Sequence, residues 1–355
     1  MSPTAAGRTD PRFIQSLLQS DHAFARADDA PDPEFYATER MVAHLDATAL
    51  ETVEDLVGCL VTEEGPVILD LMASWDSHLP ASLGASRVVG LGLNGPELEA
   101  NSALTERVLK DINADPILPF EKETFDIVLN VVSVEYLTRP VQVFREVGRV
   151  LKPGGVFLVV FSNRWFPSKV VRVWEDASEE ERIGLVEAYL REAGVFEIGE
   201  LFVSMGLPRP ADDRFHHLGV PSDPVFAVFA EKAGGPPDRP PRVLPRDRAR
   251  IPVDREKVEA RRRIVGETLV CPHCGQKLSK WKVPDDPCID WPNEFLYLCF
   301  NDACPFVVRG WRFLWEQGFP GASYRYLYNP ETGASTTVPI RSLLDLKAGV
   351  VPEDA

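Results

Sequence analysis

The sequence predicts an α/β chain: a mainly parallel sheet over its first two thirds, then a small four-cysteine module. Three observations predict it. The runs VILDL (67–71), RVVGLG (87–92), FDIVLNV (125–131) and GVFLVVF (155–161) are continuously apolar rather than alternating, as strands buried on both faces are. Stretches with helical spacing lie among them, and strands alternating with helices imply parallel pairing. Near the end, a C-x2-C pair and a C-x4-C pair stand 24 residues apart.

Length and charge set limits on function. A chain of 355 residues has room for two domains that each bury a core. Apolar content of 45% and charged content of 26% are ordinary for a globular protein. Residues 1–232 carry 20 Lys and Arg against 38 Asp and Glu, a net of −18, whereas residues 233–266 carry 10 against 5. A domain that acidic repels a phosphate backbone over most of its surface, which argues against nucleic acid as its main substrate and leaves only residues 233–266 to attract it. No apolar run reaches the roughly 18 residues of a membrane span, and MSPTAAGRTDPRF lacks a hydrophobic signal core. A cytoplasmic chain with no membrane partner is expected. Thiols stay reduced there, so the six cysteines read as metal ligands or core residues rather than disulfides.

The elements follow in order. Helices are expected over 11–20 and 35–60. After the four strands come a helix at 140–151, with Pro140 in its first turn and a stop at KPGG, and a helix at 178–194. Ser178 and Glu181 have capping-box spacing, and Gly194 ends that helix. Two further strands are expected at 197–204 and 224–231. The segment 233–257 is rich in Pro, Gly and Arg and reads as a stiff linker leading into a basic helix. The expected organisation is an N-terminal helical segment (1–60), the α/β domain (61–232), the linker and basic helix (233–265), the cysteine module (266–330) and a tail (331–355).

The stretch ILDLMASWDSHLP (68–80) is where a nucleotide-type domain places a glycine-rich loop, yet no glycine lies between Gly65 and Gly84. A nicotinamide dehydrogenase would need G-x-G-x-x-G there and an acid at the end of the next strand; both are absent. Only 15 residues, Met72 to Ser86, join the first two strands, so the crossover is expected to be abbreviated.

The string LPFEKETFDIVLNVVSVEYLTRPVQVFREVGRVLKPGGVFLVV (118–160) resembles the class I S-adenosylmethionine-dependent methyltransferases, and the order of elements resembles them from about 35 to 232. The resemblance implies a Rossmann-like, mostly parallel sheet of seven strands ending in an antiparallel hairpin, with S-adenosyl-L-methionine as cofactor. It places Asp70 at the acidic position after the first strand, with Met72 and Ser74 where glycines usually stand. Gly92 replaces the acid that binds the ribose hydroxyls, leaving Leu93 and Asn94 beside the cofactor and Asn94 or Glu97 to accept from the ribose. Asp111, Asn113 and Ala114 fall near the adenine, and the backbone of Asn130 and Val131 flanks the cofactor. Tyr36 and Arg40 are further candidates at its amino-acid end. The cofactor has no phosphate, so the need for glycine is softer, and ASWDSHLP reads as a reshaped loop; loss of the site is the alternative.

Methyl transfer requires position and a dry pocket more than a catalytic dyad, so no catalytic residue is assigned. Glu135 and Tyr136 read either as substrate contacts or as ordinary loop residues. Trp75 reads as a lid or plug, and His78 as a structural or substrate-contacting group. His216 and His217 have no third ligand nearby. Cys59, in the apolar helix LVGCLV, reads as core.

Cys271, Cys274, Cys299 and Cys304 have the spacing of a tetrahedral structural zinc site. CP-x-CG with a later C-x-N-x-x-C resembles zinc ribbons, including the phage ogr/Delta-like zinc fingers, over about 40 residues. His273, between two ligands, is expected to point away, and Cys288 to be free. Trp281, Trp291, Trp311, Trp315, Phe295, Tyr297, Phe300, Phe306, Phe313 and Phe319 exceed what one ribbon can hide. They suggest a surface for a protein partner or for packing on the first domain, with nucleic acid disfavoured. Two functions follow: a methyltransferase acting on an unidentified small molecule or protein, or an inactive methyltransferase-like scaffold whose ribbon binds a protein or nucleic-acid partner.

Overall fold

The structure is a computed structural model that describes residues 11–20, 22–238, 241–284 and 291–352; Cys288 lies outside them. The chain forms two compact units. The first gathers the chain up to Leu45, Ala49–Val203 and Val225–Pro245; the second gathers Asp46–Thr48, Ser204–Pro224 and the chain from Arg246. No described helix is long and apolar enough to cross a membrane.

The first unit is a seven-stranded sheet. Its strands are β1 (Val67–Leu71), β2 (Arg87–Gly92), β3 (Glu106–Leu109), β4 (Phe125–Val131), β5 (Leu151–Phe161), β6 (Phe196–Ser204) and β7 (Val225–Lys232), in spatial order β3-β2-β1-β4-β5-β7-β6. The pairs β1–β2, β2–β3, β1–β4 and β4–β5 are parallel, whereas β7 runs antiparallel to β5. The order reverses direction between β1 and β4, and ligands in such sheets bind at that switch point, beyond the carboxyl ends of the strands.

Local chemistry sets the helices: α1 (Pro11–Leu18), α2 (Asp32–Phe35), α3 (Ala47–Leu60), α4 (Gly95–Ala100), α5 (Pro140–Val150), α6 (Arg172–Asp176) and α7 (Glu179–Ala193). The α7 capping box is formed by Ser178 and Glu181, and Gly194 closes the helix at φ 77°. Ser178→Ala would cost about 1 kcal/mol. The expected helix at 35–60 is corrected. It begins only at Ala47, and residues 36–46 form an irregular segment held by side-chain hydrogen bonds described below. Cys59 is corrected too: α3 buries Ala49, Thr52, Val53, Leu56, Val57 and Leu60, and that period turns Cys59 outward, where it is exposed. The crossover from β1 to β2 contains no helix at all. In the segment expected to be linker, Arg242 is buried, donating to the Leu60 carbonyl and pairing with Glu63, so this part of the chain is fastened to the first unit.

The second unit contains α8 (Arg255–Arg263), α9 (Val265–Thr268), β8 (Ser279–Lys282), β9 (Phe295–Leu298), α10 (Pro305–Glu316), β10 (Ser323–Tyr328) and β11 (Ser335–Ile340). Its four strands are antiparallel in the order β11-β10-β9-β8. The unit thus exceeds a bare ribbon. A twelve-residue helix follows the last cysteine, and residues expected in a tail supply the edge strand β11. Val307, Trp311, Tyr326, Tyr328 and Ile340 pack with the cysteines in one core.

Candidate cofactor pocket and metal centre

A pocket open to solvent lies at the carboxyl ends of β1, β2 and β4. Asp70, Met72, Ser74, Leu93, Asn94, Asn113 and Val131 line it, as do Tyr36, Arg40, Trp75, His78, Glu97, Asp111 and Tyr136. Two candidates do not. Ala114 is exposed, its amide donating to Asp111 Oδ1 at 3.0 Å. Asn130 is fully buried and donates to Ser133 Oγ at 2.8 Å, because successive residues of a strand face opposite ways and Val131 takes the pocket side.

The glycine-free loop keeps the backbone shape that glycine usually supplies. Met72 adopts φ 65° and His78 φ 52°, and across the pocket Val132 adopts φ 49°. Side chains avoid this left-handed region, most of all β-branched ones, and such strain gathers at functional sites. The loop then lies against the end of β2, with the Ala73 amide donating to the Leu91 carbonyl at 2.8 Å.

The residues expected to serve the ribose are tied to the protein. Asn94 caps α4 by accepting from the Glu97 amide at 2.9 Å, and its Nδ2 donates to the Tyr36 carbonyl at 2.9 Å. Glu97 accepts from the Arg40 amide at 2.7 Å and from Ser74 Oγ at 2.6 Å. Trp75 Nε1 donates to the Val42 carbonyl at 3.1 Å. These bonds hold the irregular segment 36–42 at the pocket. Asn113 is likewise engaged: it donates to Asp32 and to the Tyr136 carbonyl, and accepts from Thr138.

Asp70 differs. It is 5% exposed, and its Oδ2 has no hydrogen-bond partner. Burial pushes its pKa up to about 6, while a hydrogen bond from Ser77 and the nearby His78 pull it down. His78 Nδ1 lies 3.1 Å from Asp76 Oδ2 without hydrogen-bond alignment, and this neighbour holds Asp76 down at about 2. An aromatic wall completes the pocket. Phe166 stacks on Tyr136 at 5.9 Å, His44 meets Phe166 edge-on at 5.5 Å, and the Arg40 guanidinium covers Phe35 at 4.4 Å. Burial pushes the His44 pKa down. The sequence reading missed His44, Phe166, Ser133 and Lys110, all in the lining, because no local spacing marks them. Glu135 is turned away from the pocket and fully buried. Neither carboxyl oxygen has a partner, and burial pushes its pKa up to about 8.

In the second unit the Sγ atoms of Cys271, Cys274, Cys299 and Cys304 all lie within 4.8 Å of one another. Cys274 to Cys299 is 3.6 Å and Cys271 to Cys304 is 4.0 Å. Four thiolates around tetrahedral zinc place their sulfurs about 3.8 Å apart. The set therefore fits such an ion. Gly275, at φ 76°, lets the first knuckle turn, and Cys304 stands at the N-cap position of α10, where the helix dipole favours a thiolate. Arg325, fully buried, donates to the Cys299 carbonyl at 3.2 Å, to Asp302 at 2.6 Å and to the Leu343 carbonyl at 2.8 Å, fixing the second knuckle. His273 stacks on Phe306 at 4.1 Å and is not among the clustered ligands.

Residues 75–159, which run from the reshaped loop through β2, β3 and β4 into β5, match the family described as a methyltransferase domain. The fold is that of the class I methyltransferases. A stretch of 104 residues is 41% identical to the sterol 4-C-methyltransferase strm-1 of Caenorhabditis elegans, covering 29% of this chain and 29% of that protein. Among solved structures, a putative methyltransferase from Haloferax volcanii in complex with the Trm112 activator is similar at 19% identity and a TM-score of 0.40. It covers 53% of this chain and 91% of the matched one. A putative S-adenosylmethionine-dependent methyltransferase from Listeria monocytogenes is similar at 17% identity and a TM-score of 0.37, covering 52% and 98%.

Proposed function

We propose that the first unit transfers a methyl group from S-adenosylmethionine to an unidentified acceptor, and that the four cysteines of the second hold a structural zinc ion. The observation that carries the first reading is the partnerless Asp70 oxygen in the lining of a pocket at the switch point of a methyltransferase sheet. An acid left without a donor in a buried site suits a ligand that brings positive charge and hydrogen-bond donors. When bound, the cofactor supplies a sulfonium methyl for in-line displacement.

The chain's own residues do the rest. Asp70 holds a cationic group of the ligand. The backbone at Met72 and Val132, in left-handed conformation, shapes the two loops that border the pocket. Tyr36, His44, Tyr136 and Phe166 wall the pocket with rings and keep water out. Asn94 and Glu97 position the segment 36–42 rather than grip the ligand. The acceptor is unassigned: the shared stretch with the sterol enzyme spans less than a third of either chain, and its substrate is not carried over.

Calorimetric titration of the full chain with S-adenosylhomocysteine tests this reading. Saturable one-to-one binding, weakened by Asp70→Ala, supports it. Absence of heat and of thermal stabilisation at high ligand concentration overturns it in favour of the scaffold reading.

A further inference from the structure

The pocket wall holds an imidazole that cofactor binding does not use. His44 is half-buried in the lining, and neither of its ring nitrogens makes a hydrogen bond among the described residues. Its ring meets Phe166 edge-on at 5.5 Å, Phe166 stacks on Tyr136 at 5.9 Å, and Phe35 backs Phe166 at 5.6 Å. The Phe166 amide donates to the Tyr136 hydroxyl at 2.9 Å, so a polar contact also fixes this wall. Free ring nitrogens therefore stand among stacking surfaces.

The charged groups that face His44 come from three elements: Glu97 from α4, His78 from the loop after β1, and Arg40 from its own segment. Burial is the largest effect and opposes the imidazolium; His78 and Arg40 oppose it too, while Glu97 favours it. The ring is thus neutral at neutral pH and able to accept a proton. The acids of the lining are committed elsewhere. Glu97 accepts from Arg40 and Ser74, Asp111 from the amides of Asn113 and Ala114, Asp76 from the His78 amide, and Asp32 from Arg26 and Asn113. Asp70 remains, and the cofactor reading gives it to a cationic group.

We propose that His44 takes the proton from the hydroxyl of a flat phenolic acceptor held by this ring wall. The inference rests on the methyl-transfer reading and names the class of its acceptor. The acceptor oxygen bonds to the methyl carbon, and the carbon–sulfur bond of the sulfonium breaks with its electron pair going to sulfur. The hydroxyl proton passes to the imidazole and from there to solvent. A base placed at that proton contributes about 100-fold to 10,000-fold in rate. Aromatic walls suit a flat ring through offset or edge-on contact. A cationic amine would call for an uncommitted carboxylate on this wall. An acceptor methylated at an unactivated carbon would offer His44 no acidic proton.

The full chain with 7-hydroxy-4-methylcoumarin, a flat fluorescent phenol, tests the proposal. With S-adenosylhomocysteine bound, the phenol should bind saturably, read by fluorescence anisotropy, and His44→Ala should weaken that binding about tenfold through the lost hydrogen bond. With S-adenosylmethionine, mass spectrometry should show the methoxy product. His44→Ala should keep its circular dichroism and its calorimetric affinity for S-adenosylhomocysteine, yet lose about a hundredfold in turnover at a pH where the phenol is not ionised by itself. Parent turnover should level off above the His44 pKa, whereas the variant's should climb until the phenol ionises unaided; a merely structural histidine would not move this profile. Binding of S-adenosylhomocysteine without phenol binding or product overturns the acceptor inference and leaves the cofactor reading standing. Equal turnover and an equal pH profile in His44→Ala also overturn it. No binding of S-adenosylhomocysteine sinks the cofactor reading, and this inference with it.

Discussion

Gly92 lies directly beneath the carbonyl oxygen of Ala73, and a Cβ added at Gly92 would overlap that oxygen. The relationship explains the departure that the sequence makes most visible. The acid that this sheet type carries at the end of β2 is absent because the reshaped loop has moved into its space. Gly92→Asp is therefore not a repair. It should lower the melting temperature by several degrees, a cost of about 1–3 kcal/mol from displaced backbone, and weaken S-adenosylhomocysteine binding. Differential scanning calorimetry and titration of the same preparation check both. Tighter binding by the variant would show that the loop yields.

Asp70 supplies a pH dependence. A cationic ligand favours the ionised carboxylate, and the free protein holds this group at about 6 through burial. Affinity should be flat above neutrality and fall as pH drops through about 6. Asp70→Asn should bind about tenfold or more weakly at pH 8, the loss of a charge-assisted hydrogen bond, and should flatten the profile. Titration across pH reads both, and an unchanged profile in the variant would place the titrating group elsewhere.

Glu135 sets a stability window. Its folded pKa, about 8, lies above the ordinary glutamate value of 4.5. The folded state therefore binds the proton more tightly than the unfolded state, and the contribution present below about 4.5 is lost as pH rises to about 8. Glu135→Gln keeps the shape and removes the ionisation. The variant's melting temperature relative to the parent should increase from pH 5 to pH 9. Thermal melts at both pH values decide this; a constant difference would mean that Glu135 is charged in the folded chain.

The thiol cluster predicts one metal ion per chain. Cys304→Ser should lower bound zinc, measured by elemental analysis, and a strong chelator should abolish the cooperative melting of the second unit, since a structural ion is folding free energy. Arg325→Met should lower metal retention without touching the ion, because it releases the carbonyl and carboxylate contacts that fix the second knuckle. A parent chain without bound zinc would sink the structural-metal reading, and full zinc retention in Cys304→Ser would remove Cys304 from the ligand set.

The sequence by itself determined six of the seven strands of the first sheet, the cap of α7 and the cysteine spacing, but neither β3 nor the strands of the second unit. Each rests on short-range chemistry: apolar runs too long to leave exposed, a serine three residues before a glutamate, and thiols at knuckle spacing. The family likeness was legible for the same reason, since 118–160 is contiguous. Tertiary structure decided which candidates face the ligand. Asn94, Glu97 and Asn113 carry the right chemistry for a cofactor, yet all three are consumed by partners 23 to 81 residues away in the chain. Asp70 is left open because no such partner reaches its Oδ2. Cys59 sits on the wrong side of its helix, and the segment read as helix before Ala47 gives backbone bonds to the side chains of Asn94, Glu97 and Trp75 instead. Long-range hydrogen bonding and packing direction leave no periodic trace in a sequence, so the pattern can place a residue near a site but only the fold decides whether its polar atoms are spent.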